Sequence, residues 1–121
     1  MRPHRPGDER ALVALFQEVF RRPIDETYWR WKLKALPSPT ENVGVAVDEA
    51  DRPVFQIGGI PGTWWIDHRE ALVMVAVDAM THPRFRRRGI LSQVGRQLFR
   101  NWRDAGVSLV LGLPNEQWGS R

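Results

Sequence analysis

Apolar residues change their period several times along the chain, and each change marks an element. Leu12, Leu15, Phe16, Val19 and Phe20 recur at three- and four-residue spacing, which makes one side of a helix apolar. Asp8 and Glu9 stand where an N-cap and an acidic first turn belong, so this helix is read over Asp8–Arg21. Pro23 interrupts it. Asp25 opens a second helix through Leu36, carrying Tyr28, Trp29, Trp31, Leu33 and Leu36. Pro37 and Pro39 close it, since neither can continue a helix and each biases its predecessor away from the α region.

The period then falls to two. Val43, Val45 and Val47 alternate with small residues, the polar stretch Asp48–Arg52 follows, and Val54–Asp67 forms a second β-like run, which together predict a hairpin. Gly58, Gly59, Pro61 and Gly62 predict a bend or bulge in that second run. His68–Glu70 turns the chain into Ala71–Thr81, a β-branched, alternating stretch with the character of a central strand. Three antiparallel strands thus form a meander. Beyond an arginine cluster, Ile90, Leu91, Val94, Leu98, Phe99 and Trp102 return to helical spacing, with Gly106 placed to end the helix. Val107–Leu113 is short enough for a buried strand, and Pro114 stops it. A strand, a helix and a strand from Ala71 to Leu113 imply a right-handed crossover and parallel pairing. The expected fold is α+β in three layers, with a mixed sheet that combines the meander and one β-α-β crossover.

Composition narrows this without redirecting it. A chain of 121 residues is one domain's worth, and 42% apolar with 26% charged residues is ordinary globular usage. No apolar run approaches the ~18 residues that cross a bilayer, and Met1–Arg10 is polar, so no membrane role and a cytoplasmic location are expected. Cysteine is absent, which removes disulfides, thiolate metal sites and a cysteine nucleophile together. His4, His68 and His82 lack metal-ligand spacing, so no metal is expected.

The formal charge of +4 comes mostly from arginine and favours polyanionic partners. Its densest cluster, Arg84, Arg86, Arg87 and Arg88, sits between a strand and a helix. Taken alone, such a cluster is equally a solvated surface or a nucleic-acid patch. In its context it abuts the first turn of a helix, whose N–H groups lack internal partners and whose dipole is positive. Gly89 permits close backbone approach there, and the arginines supply charge-assisted bonds. A diphosphate fits such a loop. Nucleic acid is disfavoured, because the chain has neither a helix-turn-helix nor an aromatic-interleaved single-strand motif.

This segment resembles the phosphate loop of the GNAT superfamily of acyl-CoA N-acyltransferases. That pattern runs Arg or Gln, two residues, Gly, one residue, Gly or Ala, after a strand end of the form Val-x-Pro. Arg86, Gly89 and Pro83 match it; Thr81 and Leu91 depart from it. The order of helices, meander, loop, helix and strand also agrees. The resemblance implies an N-acyltransferase, in particular an acetyltransferase, that passes an acyl group from acetyl-CoA to the amine of a small molecule or peptide. It implies parallel strands splayed by a bulge in the first. Ala79, Met80 and Thr81 would face the thioester and pantetheine, and Arg86, Arg87, Arg88, Gly89, Ile90 and Leu91 would hold the pyrophosphate. Asn115 would contact the pantetheine arm, and Asp78 would act as base, with His82 the other titratable candidate. Asp78 is also readable as a strand-end salt-bridge partner. The family adds a further helix, often bearing a tyrosine acid, and two strands. Their lack predicts a shortened gene product, even an inactive CoA-binding or interaction module, or a homo-oligomer that covers the exposed edge of the last strand.

Overall fold

A computed structural model describes residues 2–112. Helix α1 spans Glu9–Phe20 and α2 spans Glu26–Lys34. The strands are β1 (Arg2–Pro3), β2 (Val43–Val47), β3 (Pro53–Ile66), β4 (Arg69–Thr81) and β5 (Leu109–Gly112), and α3 (Ile90–Asp104) joins β4 to β5. They form one five-stranded sheet in chain order, antiparallel from β1 to β4, with β5 parallel to β4. Among the described residues, no helix is long and apolar enough to cross a membrane.

Each face of the sheet has its own core. Leu12, Leu15 and Phe16 of α1 and Trp29 and Leu33 of α2 pack with Val43, Val45 and Met80 on one face. Val94, Leu98 and Trp102 of α3 pack with Phe55, Ile57, Met74 and Ala76 on the other. Period-two alternation along β3 and β4 serves both helical layers at once, which yields the three-layer α+β arrangement.

The helix ends illustrate two kinds of capping. The Asp25 carboxylate accepts the Tyr28 backbone N–H at 2.7 Å, an ordinary side-chain cap. Asp8 occupies the N-cap position of α1 but makes no such cap; its carboxylate takes the Arg2 guanidinium at 2.7 and 2.9 Å instead. That ion pair ties down β1, a two-residue strand too short to leave a periodic signal in the sequence.

The glycine-rich part of β3 differs from expectation. β3 runs through Gly58, Gly59 and Gly62 as one strand, and the glycines make room for the two helical layers. A Cβ on Gly58 would lie 2.7 Å from a Leu33 methyl, and one on Gly59 would lie 2.6 Å from the Trp102 ring. The bulge lies at the edge of that stretch, and its extra residue is on β4. Gln56 pairs with Met80 but Gly58 with Val77, so Asp78 and Ala79 together oppose Ile57. Pro61 pairs with Met74 beyond the last β2 partner, where, among the described residues, the other edge of β3 has no strand partner and needs no amide donor.

Candidate active site

The β4 bulge puts two consecutive side chains on one face. Ala76 and Ala79 join the α3 core, whereas Val77 packs against the α1/α2 core and Asp78 reaches α2. Asp78 adopts a left-handed backbone at φ 52°, a conformation that Asp tolerates better than most residues. Three contacts hold it. Both carboxylate oxygens lie 3.0 Å from Lys32 Nζ, and its carbonyl accepts from Gln56 Nε2 at 3.3 Å. The Asp78–Lys32 pair is three-quarters or more buried, with side-chain exposures of 17% and 25%. A strand-end salt bridge is therefore part of what Asp78 does.

Gln56 is completely buried. Its Oε1 accepts the Trp29 indole N–H at 2.8 Å, so the bulge, β3 and α2 share one polar network. Neither Gln56 nor Lys32 stood out in the sequence. Gln56 occupies an alternating apolar run, and a polar residue at such an inward position is the signal that could have found it. Lys32 is separated from Asp78 by 46 residues, a pairing to which local pattern is blind.

Past the bulge, His82 N–H donates to Val54 O at 2.8 Å, which aims the His82 backbone at β3. Alternation then turns the backbone groups of Thr81 and Ala79 toward the opposite edge, the side of β5. Met80 faces the other way, pairing with Gln56 while its side chain lies in the α1/α2 core. β4 and β5 pair from Val73↔Leu109 to Ala76↔Gly112, immediately before the bulge.

The segment from Thr81 to α3 is a short turn followed by left-handed backbone. Pro83–Phe85 makes a single 3-10 turn, capped by His82 Nδ1, which accepts Arg84 N–H at 3.1 Å. His82 Nε2 lies 3.5 Å from Glu18 Oε1, so both ring nitrogens already face structural partners. Arg87 (φ 64°) and Gly89 (φ 70°) both take left-handed backbone, and Gly89 is the N-cap of α3. Gln93 N–H bonds back to Gly89 O, so the N–H groups of Ile90, Leu91 and Ser92 have no helical acceptor. Arg86, Arg87 and Arg88 are exposed around this terminus. Arg86 Nε donates to Thr81 O at 3.2 Å, and the Arg88 guanidinium lies 4.8 Å from the centre of the Phe85 ring.

Ile90 and Leu91 pack their side chains against the α3 core. The bulk of Leu91 is thus directed into the protein, away from the open space around Gly89, where a Cβ would meet no atom within 4 Å. Leu91 also lines an apolar cleft of about 480 Å³ with Ile57, Ala76, Gly95, Phe99 and Val110, between α3 and the β4/β5 pair. Asn115 lies outside the described residues.

Tyr28 and Trp31 occupy the exposed side of α2, with ring centres 5.9 Å apart. Lys32 stands four residues after Tyr28 and three after buried Trp29, at the boundary between the exposed and buried sides of α2.

A bulged strand, a cationic loop, a left-handed glycine and an open helix N-terminus thus follow one another along a single segment of the chain. The model of the acetyltransferase (GNAT) domain matches residues 1–118. The chain belongs to the GNAT acetyltransferase family, and its enzymatic class is that of an N-acetyltransferase. A search of curated proteins finds no significant match. Solved structures are similar in fold. Glucosamine-6-phosphate N-acetyltransferase from Arabidopsis thaliana superposes with a TM-score of 0.75 at 11% identity, covering 96% of this chain and 82% of that one. A GNAT family acetyltransferase from Staphylococcus aureus gives 0.67 at 13% identity, over 98% and 87% of the two chains. An aminoglycoside acetyltransferase from an uncultured soil metagenomic sample, in complex with sisomicin, gives 0.66 at 17% identity over 89% and 70%.

Proposed function

We propose that this chain transfers an acyl group, in the first instance acetyl, from acyl-CoA to the primary amine of a small molecule or peptide. The observation that carries the reading is the continuity of two features on one segment: the β4 bulge at Asp78 and the left-handed Gly89 that opens α3 amid three exposed arginines. The first supplies a carboxylate and edge-facing backbone groups; the second supplies an anion site. Arg86, Arg87 and Arg88 and the N–H groups at Gly89, Ile90 and Leu91 hold the pyrophosphate. Backbone groups of Ala79 and Thr81 orient the pantetheine arm and thioester, and Asn115 joins them by the family resemblance. Bound there, acyl-CoA supplies an activated carbonyl carbon. Asp78 takes a proton from the acceptor ammonium, and backbone N–H groups offset the charge that develops on the carbonyl oxygen.

An acceptor approaching the bulge from the α2 side passes Tyr28 and Trp31. Two of the structural neighbours are named for aminosugar acceptors, which favours a polar, amine-bearing acceptor here too. The compartment implied is the cytoplasm, where acyl-CoA is available. Association of two chains through the outer edge of β5 is the oligomer we propose, and size-exclusion chromatography checks it. Isothermal titration of the folded chain with CoA and acetyl-CoA tests the central reading. Saturable heat is expected; none at high micromolar ligand would sink it.

A further inference from the structure

We propose that Lys32 is an internal acceptor: the chain acylates its own Lys32 Nζ at the Asp78 carboxylate. The inference rests on the acyl-CoA site proposed above. Lysine is scarce in this sequence, since of 18 Lys and Arg residues only Lys32 and Lys34 are lysines. Arginine serves every other cationic position. Where a fixed positive charge is all that is wanted, arginine suffices, and it is no nucleophile at ordinary pH. The two lysines sit on α2 and have different partners.

Lys34 Nζ is engaged by Glu41 Oε1 and by Asn42 Oδ1, the latter at 2.9 Å, at the C-terminal end of α2. Lys32 Nζ instead lies 3.0 Å from the carboxylate of Asp78, the residue that forms the bulge. Asp78 precedes Ala79 by one residue and Thr81 by three, and the backbone groups of those two face the β5 edge to which the proposed function assigns the thioester. Lys32 comes from the α1/α2 face of the sheet, whereas the phosphate loop opens onto α3 on the other face. An amine and an acyl carrier would thus meet from opposite sides at the bulge, with a carboxylate already hydrogen-bonded to the amine. An acceptor amine in this enzyme needs the same arrangement, and Lys32 holds it within the chain.

The step balances without a further reactant. The Lys32 ammonium passes one proton to Asp78 and thence to solvent. The Nζ lone pair then forms the N–C bond at the thioester carbonyl carbon, the C–S bond breaks with its electron pair on sulfur, and the departing thiolate takes the second nitrogen proton. Lys32 ends as a neutral amide and no longer pairs with Asp78, whose partly buried carboxylate is released from its cation.

The test is mass spectrometry of the folded chain incubated with acetyl-CoA, read as site-resolved occupancy over time. Expected is one added acetyl group, on Lys32 roughly tenfold or more faster than on Lys34, because only the first amine is held at the reacting centre. Excess CoA should suppress it, Lys32→Arg should abolish it, Asp78→Asn should slow it, and Lys34→Arg should leave it unchanged. In urea-unfolded chain, both lysines should label equally slowly. Equal labelling of Lys32 and Lys34 in the folded chain, or none at Lys32, overturns the proposal. Calorimetry with CoA on the same sample separates the causes: binding without Lys32 labelling sinks self-acylation alone, whereas absence of CoA binding sinks the acyl-CoA reading with it.

Discussion

The indole N–H of Trp29 and the amide oxygen of Gln56 meet at 2.8 Å in the core, and the other end of Gln56 reaches the Asp78 carbonyl at 3.3 Å. A wholly buried amide is costly unless its groups are paired, and these two bonds satisfy it while anchoring the bulge to α2. Gln56→Leu keeps the volume but strands the indole N–H and frees the Asp78 carbonyl. We expect a loss of about 1–3 kcal/mol in urea denaturation. Acyl-CoA binding should weaken alongside, because the bulge loses its register pin. Unchanged stability together with unchanged CoA affinity would remove Gln56 from this role.

The loop and the bulge should separate by assay. Arg86→Ala combined with Arg88→Ala should weaken CoA binding by tenfold or more, as expected for charge-assisted bonds worth about 1.5–3 kcal/mol each. The remaining affinity should fall less steeply with added salt. Asp78→Ala should spare most of the binding and depress turnover with an amine acceptor. Equal losses of CoA affinity in both variants, measured by calorimetry, would contradict the division of roles.

Much of this site was legible before folding because its parts are local. The Arg86–Gly89 segment between a strand and an amphipathic helix reads as a candidate anion loop through backbone rules alone, whereas the left-handed conformation of Gly89 comes only from the structure. Other features were illegible or misplaced in the local pattern. Glycine marks both bulges and close approach, so Gly58 and Gly59 pointed to irregular backbone where they in fact admit Leu33 and Trp102. The bulge falls at Asp78 and Ala79, in the strand where the family resemblance implies one, although the alternation of that run looks unbroken. The Lys32–Asp78 pair joins α2 to β4 over 46 residues and exists only once those segments are packed, and β1, pinned by Arg2 bonding to Asp8, is too short to show a pattern.

Gly89 offers a test of conformation separated from crowding. Its φ of 70° disfavours any side chain, yet a Cβ there would touch nothing within 4 Å. Gly89→Ala should therefore cost about 1–2 kcal/mol through backbone strain alone, and Gly89→Asn should recover part of that. Thermal denaturation would show the order Gly, Asn, Ala. An alanine variant as stable as the parent would mean that the left-handed turn is not obligatory.

Acid lability should trace to the other end of the chain. The Arg2 guanidinium bonds to Asp8 and holds its carboxyl below the ordinary value of 3.8, against the opposing effect of burial; the Arg5 backbone N–H adds to the lowering. A carboxyl whose folded pKa is depressed contributes stability that is complete above the unfolded value and is lost as pH falls through the folded one. With side-chain exposures of 11% and 12%, the pair is shielded enough for the effect to survive solvent screening. Asp8→Asn should therefore destabilise the chain by about 1–3 kcal/mol at neutral pH, with β1 released from α1. Below the ordinary carboxylate range the gap between variant and parent should close, since the parent then protonates the same group. A gap that stays constant from neutral pH to about pH 2 would assign the loss to something other than the Asp8 charge.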